Sequence, residues 1–135
     1  MWFFGPAELA GCAKLPAESL GLETDGVAEL LLRHESGVLS SVHLNFVQRD
    51  YRRTCQVIGT EGTIYWDFQS NRVDIYGADG QLRSYLPNLP DWQLNEMYID
   101  ELAQFTGRVS SRRPTINPVA TALKTLELAL AARIS

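Results

Sequence analysis

The segment Asn45 to Arg53, NFVQRDYRR, sets an amide, a guanidinium and a phenol within a few residues of one another. Amides and phenols donate and accept hydrogen bonds, and a guanidinium offers a planar fork of donors, so the set suits sugar hydroxyls or a phosphate. A polar connection between two strands uses the same residue types, and both readings stand at this point. Of the two histidines, His34 and His43, the second alternates onto the same strand side as Asn45, where it meets a ligand, a partner subunit or a polar neighbour on the sheet. Glu96, Asp100 and Glu101 lie in a helical pattern; paired carboxylates serve general acid–base chemistry, and the same spacing on a surface helix leaves them solvated. Tyr98 occupies a core-type position of that pattern and reads as packing.

Other chemistries are absent from the text. The run GTEGT at 59–63 lacks the glycine spacing and lysine of a phosphate loop, and no helix follows it; it reads as a hairpin turn with Gly62 at positive φ. There is no GxGxxG, so no dinucleotide site of the Rossmann kind, and no GxSxG, HExxH or Walker pattern. Cys12 and Cys55 stand in strand-like text without a Cys/His ligand spacing, so they read as small apolar residues and no metal site is expected. The net charge of −4 argues against a nucleic acid or an anionic membrane as partner. The arginines at 49, 52 and 53 and at 108, 112 and 113 read as solvated strand ends and loops against sixteen acids.

These side chains need elements to hold them. At 135 residues the chain suits one domain, with a composition ordinary for a folded one. The opening MWFFGPAELAG is apolar for four residues only and lacks the features of a signal peptide; no apolar run approaches a membrane span, and a cytoplasmic protein is expected. Trp2-Phe3-Phe4 reads as the last turn of a helix stopped by Gly5 and Pro6.

An apolar stretch at 7–13 precedes a loop at 14–24. Strands are predicted at 27–33 and 38–47 across a turn containing Gly37, then at 53–58, 63–68, 72–76 and 81–86. In the second of these, Val38, Ser40, Val42, Leu44 and Phe46 share an apolar face; Leu39, Ser41, His43, Asn45 and Val47 share a mixed one. From Asp91, Leu94, Tyr98, Leu102 and Phe105 recur at helical steps, with Gly107 as the stop. Asn117-Pro118 starts a second helix that runs to the end. Strands followed by helices predict an α+β fold of two layers: a predominantly antiparallel open sheet with helices packed on one face. The uncovered second face calls for a partner, and a homodimer through the side holding Leu39, Ser41, His43 and Asn45 is expected.

The run ESGVLSSVHLNFVQRDYRRTCQVIGTEGTIYWD at 35–67 resembles the C-terminal domain of the Gfo/Idh/MocA oxidoreductases, the glucose–fructose oxidoreductase and inositol dehydrogenase family. Gly37, Arg53 and Gly59-Thr60-Glu61-Gly62-Thr63 carry the likeness. NEMYIDELAQF at 95–105 is similar to a branch associated with cell-surface polysaccharide and amino-sugar pathways, and residues 114–135 are similar to the family's last helix. The resemblance implies that residues 1–135 form a single C-terminal substrate and oligomerisation domain, inactive alone. It implies that the full-length protein binds NAD or NADP through an N-terminal Rossmann domain and transfers hydride between a sugar hydroxyl carbon and nicotinamide. The catalytic lysine and helix positions would then lie upstream, and neither Lys14 nor Lys124 takes a catalytic role. Asn45, Gln48, Arg49 and Tyr98 are expected to face the sugar or nucleotide-sugar, and no cofactor is assigned to this chain. The alternative is a stand-alone module that dimerises or binds a sugar without redox chemistry.

Overall fold

A computed structural model describes residues 3–134, the Ser19 side chain excepted. The chain falls into two compact units: residues up to Gln48 together with those from Thr106 on, and Arg49–Phe105.

In the first unit, β1 (Ala7–Pro16), β2 (Asp25–His34) and β3 (Leu39–Asn45) form an antiparallel sheet in that order. Register pairs Ala13 with Glu29 and Glu29 with His43, so strand alternation assigns each residue to one side. Leu9, Cys12, Lys14, Leu30, Leu32, His34, Ser40 and Val42 lie on one side and are half-buried or buried. Leu15, Glu29, Leu31, Leu39, Ser41 and His43 lie on the other and are exposed. Helix α2 (Val119–Ile134) packs on β1 on the apolar side. Cys12 Sγ donates to the Ala132 carbonyl at 3.6 Å and Lys14 Nζ to the Arg133 carbonyl at 2.8 Å, which places a cation at the helix's negative end. Of the predicted apolar face, Val38, Ser40 and Val42 are half-buried, whereas Leu44 and Phe46 stay 57% and 71% exposed beyond the reach of the helix on β1. The strand β1 is longer than the apolar stretch suggests, because Lys14 and Leu15 extend it through their pairing with β2.

His34 ends β2 rather than joining the turn. It is buried, its Nδ1 lies 3.0 Å from the Gly5 carbonyl and its Nε2 2.9 Å from Ser40 Oγ. Phe3 and Phe4 form a turn and Gly5 takes φ 80°, consistent with a stop there; Trp2 lies outside the described residues.

In the second unit, β4 (Thr54–Gly59), β5 (Gly62–Asp67), β6 (Arg72–Gly77) and β7 (Leu82–Tyr85) make an antiparallel meander. The turn from β4 to β5 places Gly62 at φ 151°, and a Cβ there would sit 2.1 Å from the Tyr76 carbonyl oxygen. Only glycine fits that approach of three strands.

Helix α1 (Leu94–Ser110) runs through Gly107, which the sequence marks as its end. The stop comes at Arg112, in the left-handed region at φ 52°. Its N–H reaches the Val109 carbonyl at 3.1 Å and that of Arg113 the Arg108 carbonyl at 3.0 Å, a Schellman closure built without glycine. Leu94, Tyr98 and Phe105 each leave more than half of their surface exposed. Among the described residues no helix is long and apolar enough to cross a membrane.

Candidate functional site

Two of the four predicted substrate contacts come together at the end of β3. The Gln48 backbone N–H donates to Asn45 Oδ1 at 2.8 Å, and Asn45 Nδ2 lies 3.3 Å from Gln48 Oε1. An Asn side chain closing onto the backbone beyond it is the usual way such a residue ends a strand. The same Nδ2 donates to His43 Nε2 at 2.7 Å, and His43 Nδ1 is hydrogen-bonded to the Glu29 carboxylate across the β2–β3 pair. His43 is thus a polar member of the sheet face, as its alternation predicts. Arg49 and Tyr98 belong to the second unit; both are exposed and no hydrogen bond joins them.

The second unit contributes a pocket that the sequence reasoning missed. Tyr51, Phe68, Asn71, Asn88 and Trp92, with Gln69, Leu89 and Pro90, line a cavity of about 340 Å³. Phe68 is the hub: its ring meets Tyr51 at 6.0 Å, Trp66 at 6.1 Å and Trp92 at 6.3 Å between centroids, each edge to face. Arg53 sets its guanidinium 5.8 Å from the Trp66 ring and 5.6 Å from that of Phe68, a cation over aromatic faces. Asn71, at φ 49°, donates through Nδ2 to the Asn88 carbonyl at 2.8 Å and accepts the Asn88 N–H at 3.0 Å. That double bond of donor and acceptor ties the segment leading to Trp92 against the sheet. Apolar rings beside fixed amides are what a sugar ring needs, since its C–H face is apolar and its edge is polar. Tyr51 was within the NFVQRDYRR segment; Phe68 and Trp92 are far from it in sequence, and nothing local links them.

A second, larger depression of about 530 Å³ lies on the polar face of the four-stranded sheet, lined by Gln56, Tyr65, Asp67, Arg72 and Asp74 among others. Arg72 Nε donates to Asp74 Oδ1 at 2.8 Å and Ser84 Oγ donates to the same oxygen at 2.5 Å, which hold the Asp74 carboxyl below its ordinary pKa. The Ser70 backbone N–H, 3.0 Å from Asp67 Oδ1, does the same for Asp67. These carboxylates are occupied by their own neighbours and read as structural.

The described residues do not fit a dinucleotide. Pyrophosphate recognition needs a strand, a glycine turn and a helix N-terminus; here Gly59 pairs with Gly62 across a turn between two antiparallel strands. Both thiols are free, and the described residues hold no cluster of three or more His, Cys, Asp or Glu.

No protein-family model matches the chain, and no curated protein matches it. Solved structures do. An oxidoreductase from Agrobacterium radiobacter, in complex with NAD+, L-tartaric acid and magnesium, superposes with a TM-score of 0.82 at 23% identity, over 97% of this chain and 41% of that one. The chain shares the fold of part of that structure. UDP-N-acetylglucosamine 3-dehydrogenase GnnA from Acidithiobacillus ferrooxidans matches in two crystal forms, with TM-scores of 0.74 and 0.77, 17% identity and coverage of 95% of this chain against 40% of GnnA. The chain therefore spans about two fifths of the length of these oxidoreductases.

Proposed function

We propose that the chain is the C-terminal part of an NAD(P)-dependent sugar or amino-sugar oxidoreductase of the Gfo/Idh/MocA family, inactive alone, supplying part of the substrate pocket and the subunit interface. The observation that carries the reading is the match along nearly the whole chain to two-fifths portions of oxidoreductases, one named for a nucleotide-sugar and one holding NAD+. The nicotinamide nucleotide would be held by the remainder of such a protein, since the residues here do not suit it. A cytoplasmic place in amino-sugar or polysaccharide synthesis accords with this reading.

Asn45, Gln48, Arg49 and Tyr98 are proposed to meet the sugar; within the second unit, the cavity of Tyr51, Phe68 and Trp92 offers stacking surface of its own. Titration of the chain with UDP-N-acetylglucosamine, followed by NMR, tests this. Shifts concentrated on the Trp92 indole, Tyr51 and the Asn45–Arg49 segment are expected. Trp92→Ala should weaken binding about tenfold, the worth of one aromatic stack. Shifts that avoid these residues, or none at millimolar ligand, count against the site.

The subunit interface is proposed on the open side of β1–β3. Leu15, Leu31 and Leu39 there are 63%, 45% and 62% exposed, apolar side chains on a side that no helix of the unit meets. Sedimentation should find a homodimer at high micromolar concentration, returned to monomer by Leu31→Arg. A wild-type chain that stays monomeric removes this interface.

A further inference from the structure

The Asn45 side chain is held between partners that demand opposite ends of it. Its Oδ1 accepts the Gln48 backbone N–H at 2.8 Å, which fixes the amide's orientation and turns Nδ2 toward His43 Nε2 at 2.7 Å. An amide nitrogen only donates, so Nε2 must offer a lone pair. In a neutral ring the proton is then on Nδ1, where the Glu29 carboxylate accepts it. Glu29, His43, Asn45 and Gln48 thus close into a matched chain in one protonation state and one tautomer.

We propose that this chain is a proton-operated amide switch: protonation of His43 turns the Asn45 side chain over and releases the Gln48 backbone N–H. Once Nε2 gains a proton, two donors face each other across the 2.7 Å contact. Glu29 accepts from Nδ1 in either state of the ring, so the conflict is relieved at Asn45. Rotation of the amide brings Oδ1 to Nε2 and sets Nδ2 against the Gln48 N–H, which breaks that bond. The two arrangements are discrete, because the amide serves His43 with one end or the other.

The surroundings leave this ring to Glu29. Along the same face, β1 offers Ala13, β2 offers Val27 and Leu31, and β3 offers Ser41 and Asn45. The other charged residues of the face are Asp25, four residues along β2 from Glu29, and Glu8 and Arg33, which are joined at 3.8 Å. Lys14, whose ammonium meets α2 at the Arg133 carbonyl, lies on the opposite side of the sheet. The consequence for function rests on the proposed sugar contacts of Asn45 and Gln48: the end of β3 would present one hydrogen-bonding pattern with His43 neutral and another with it charged.

NMR of the chain between roughly pH 8 and pH 5, the range in which histidines change charge, tests the switch. Nitrogen-15 spectra should place the neutral His43 proton on Nδ1. As the ring charges, the Gln48 backbone amide should shift with the same midpoint and lose about fivefold in protection from exchange, the size of one modest hydrogen bond. His43→Gln should abolish the Gln48 response. A neutral ring protonated on Nε2, or a Gln48 amide that ignores the imidazole, overturns the proposal. No sugar enters the measurement, so the switch and the sugar reading fail separately.

Discussion

In the first unit a helix packs on β1 at one side of a three-stranded sheet, where Cys12, Leu30, Leu32 and Val42 are half-buried. The covering helix is fastened by Lys14 and Cys12 reaching its last carbonyls. The second unit's sheet is stitched along its rows instead. Tyr65 meets Tyr76 edge to face at 6.0 Å, Arg72, Asp74 and Ser84 form a polar ladder, and the Phe68 ring gathers Tyr51, Trp66 and Trp92. Cross-strand pairs each contribute roughly 0.2–1 kcal/mol, so such a sheet depends on many small terms and on an exact register. The contrast places adaptable chemistry where register and turns, rather than a covering layer, set geometry: the aromatic cavity belongs to the second unit.

Two hairpin glycines break or sharpen this contrast. Gly62 and Gly37 both have positive φ, 151° and 86°. A Cβ on Gly62 would collide with the Tyr76 carbonyl 2.1 Å away, whereas one on Gly37 would meet nothing within 4 Å. Gly62→Ala must push β5 from β6 and should cost on the order of 3–4 kcal/mol, at the severe end for one substitution. Gly37→Ala carries only backbone strain, about 1 kcal/mol. Urea unfolding of the two variants measures both. Equal costs would mean that register is no stricter in the second unit than in the first.

What the sequence made legible follows from the range of each signal. Strand alternation is local, so the exposure of Leu39, Ser41 and His43 was readable from the sequence, whereas that of Leu44, at 57%, was not. Gly62 was readable because a tight turn is local as well. The end of α1 was not: a glycine normally closes a helix, yet Gly107 stays helical and Arg112 takes the left-handed position. Gly107 costs about 1 kcal/mol relative to alanine there, which the rest of a 17-residue helix tolerates. His34 was read as part of a turn because its burial comes from Gly5 and Ser40, partners that no pattern around it announces. The cavity was hidden for the same reason, since Phe68 and Trp92 are joined by the Asn71–Asn88 bonds rather than by spacing.

The smallest expected effect concerns the polar ladder. Asp74 is held below the ordinary carboxylate pKa first by the Arg72 hydrogen bond and then by that from Ser84. A carboxyl depressed in the folded state stabilises it at pH values above its unfolded pKa, near 4, and loses that contribution as pH falls through the folded value. The unfolding midpoint should therefore be level from neutral pH down to about pH 5 and fall below about pH 4. Asp67, depressed by the Ser70 N–H, adds to the same decline. Asp74→Asn removes one share, so the variant should be less stable than wild type at pH 7 and converge with it in acid. Both groups reach solvent, and surface pairs contribute little, so a shift of a few degrees in thermal midpoint is expected. A gap between the two proteins that stays constant from pH 7 to pH 3 would show that Asp74 acts by packing and hydrogen-bond geometry rather than by its charge.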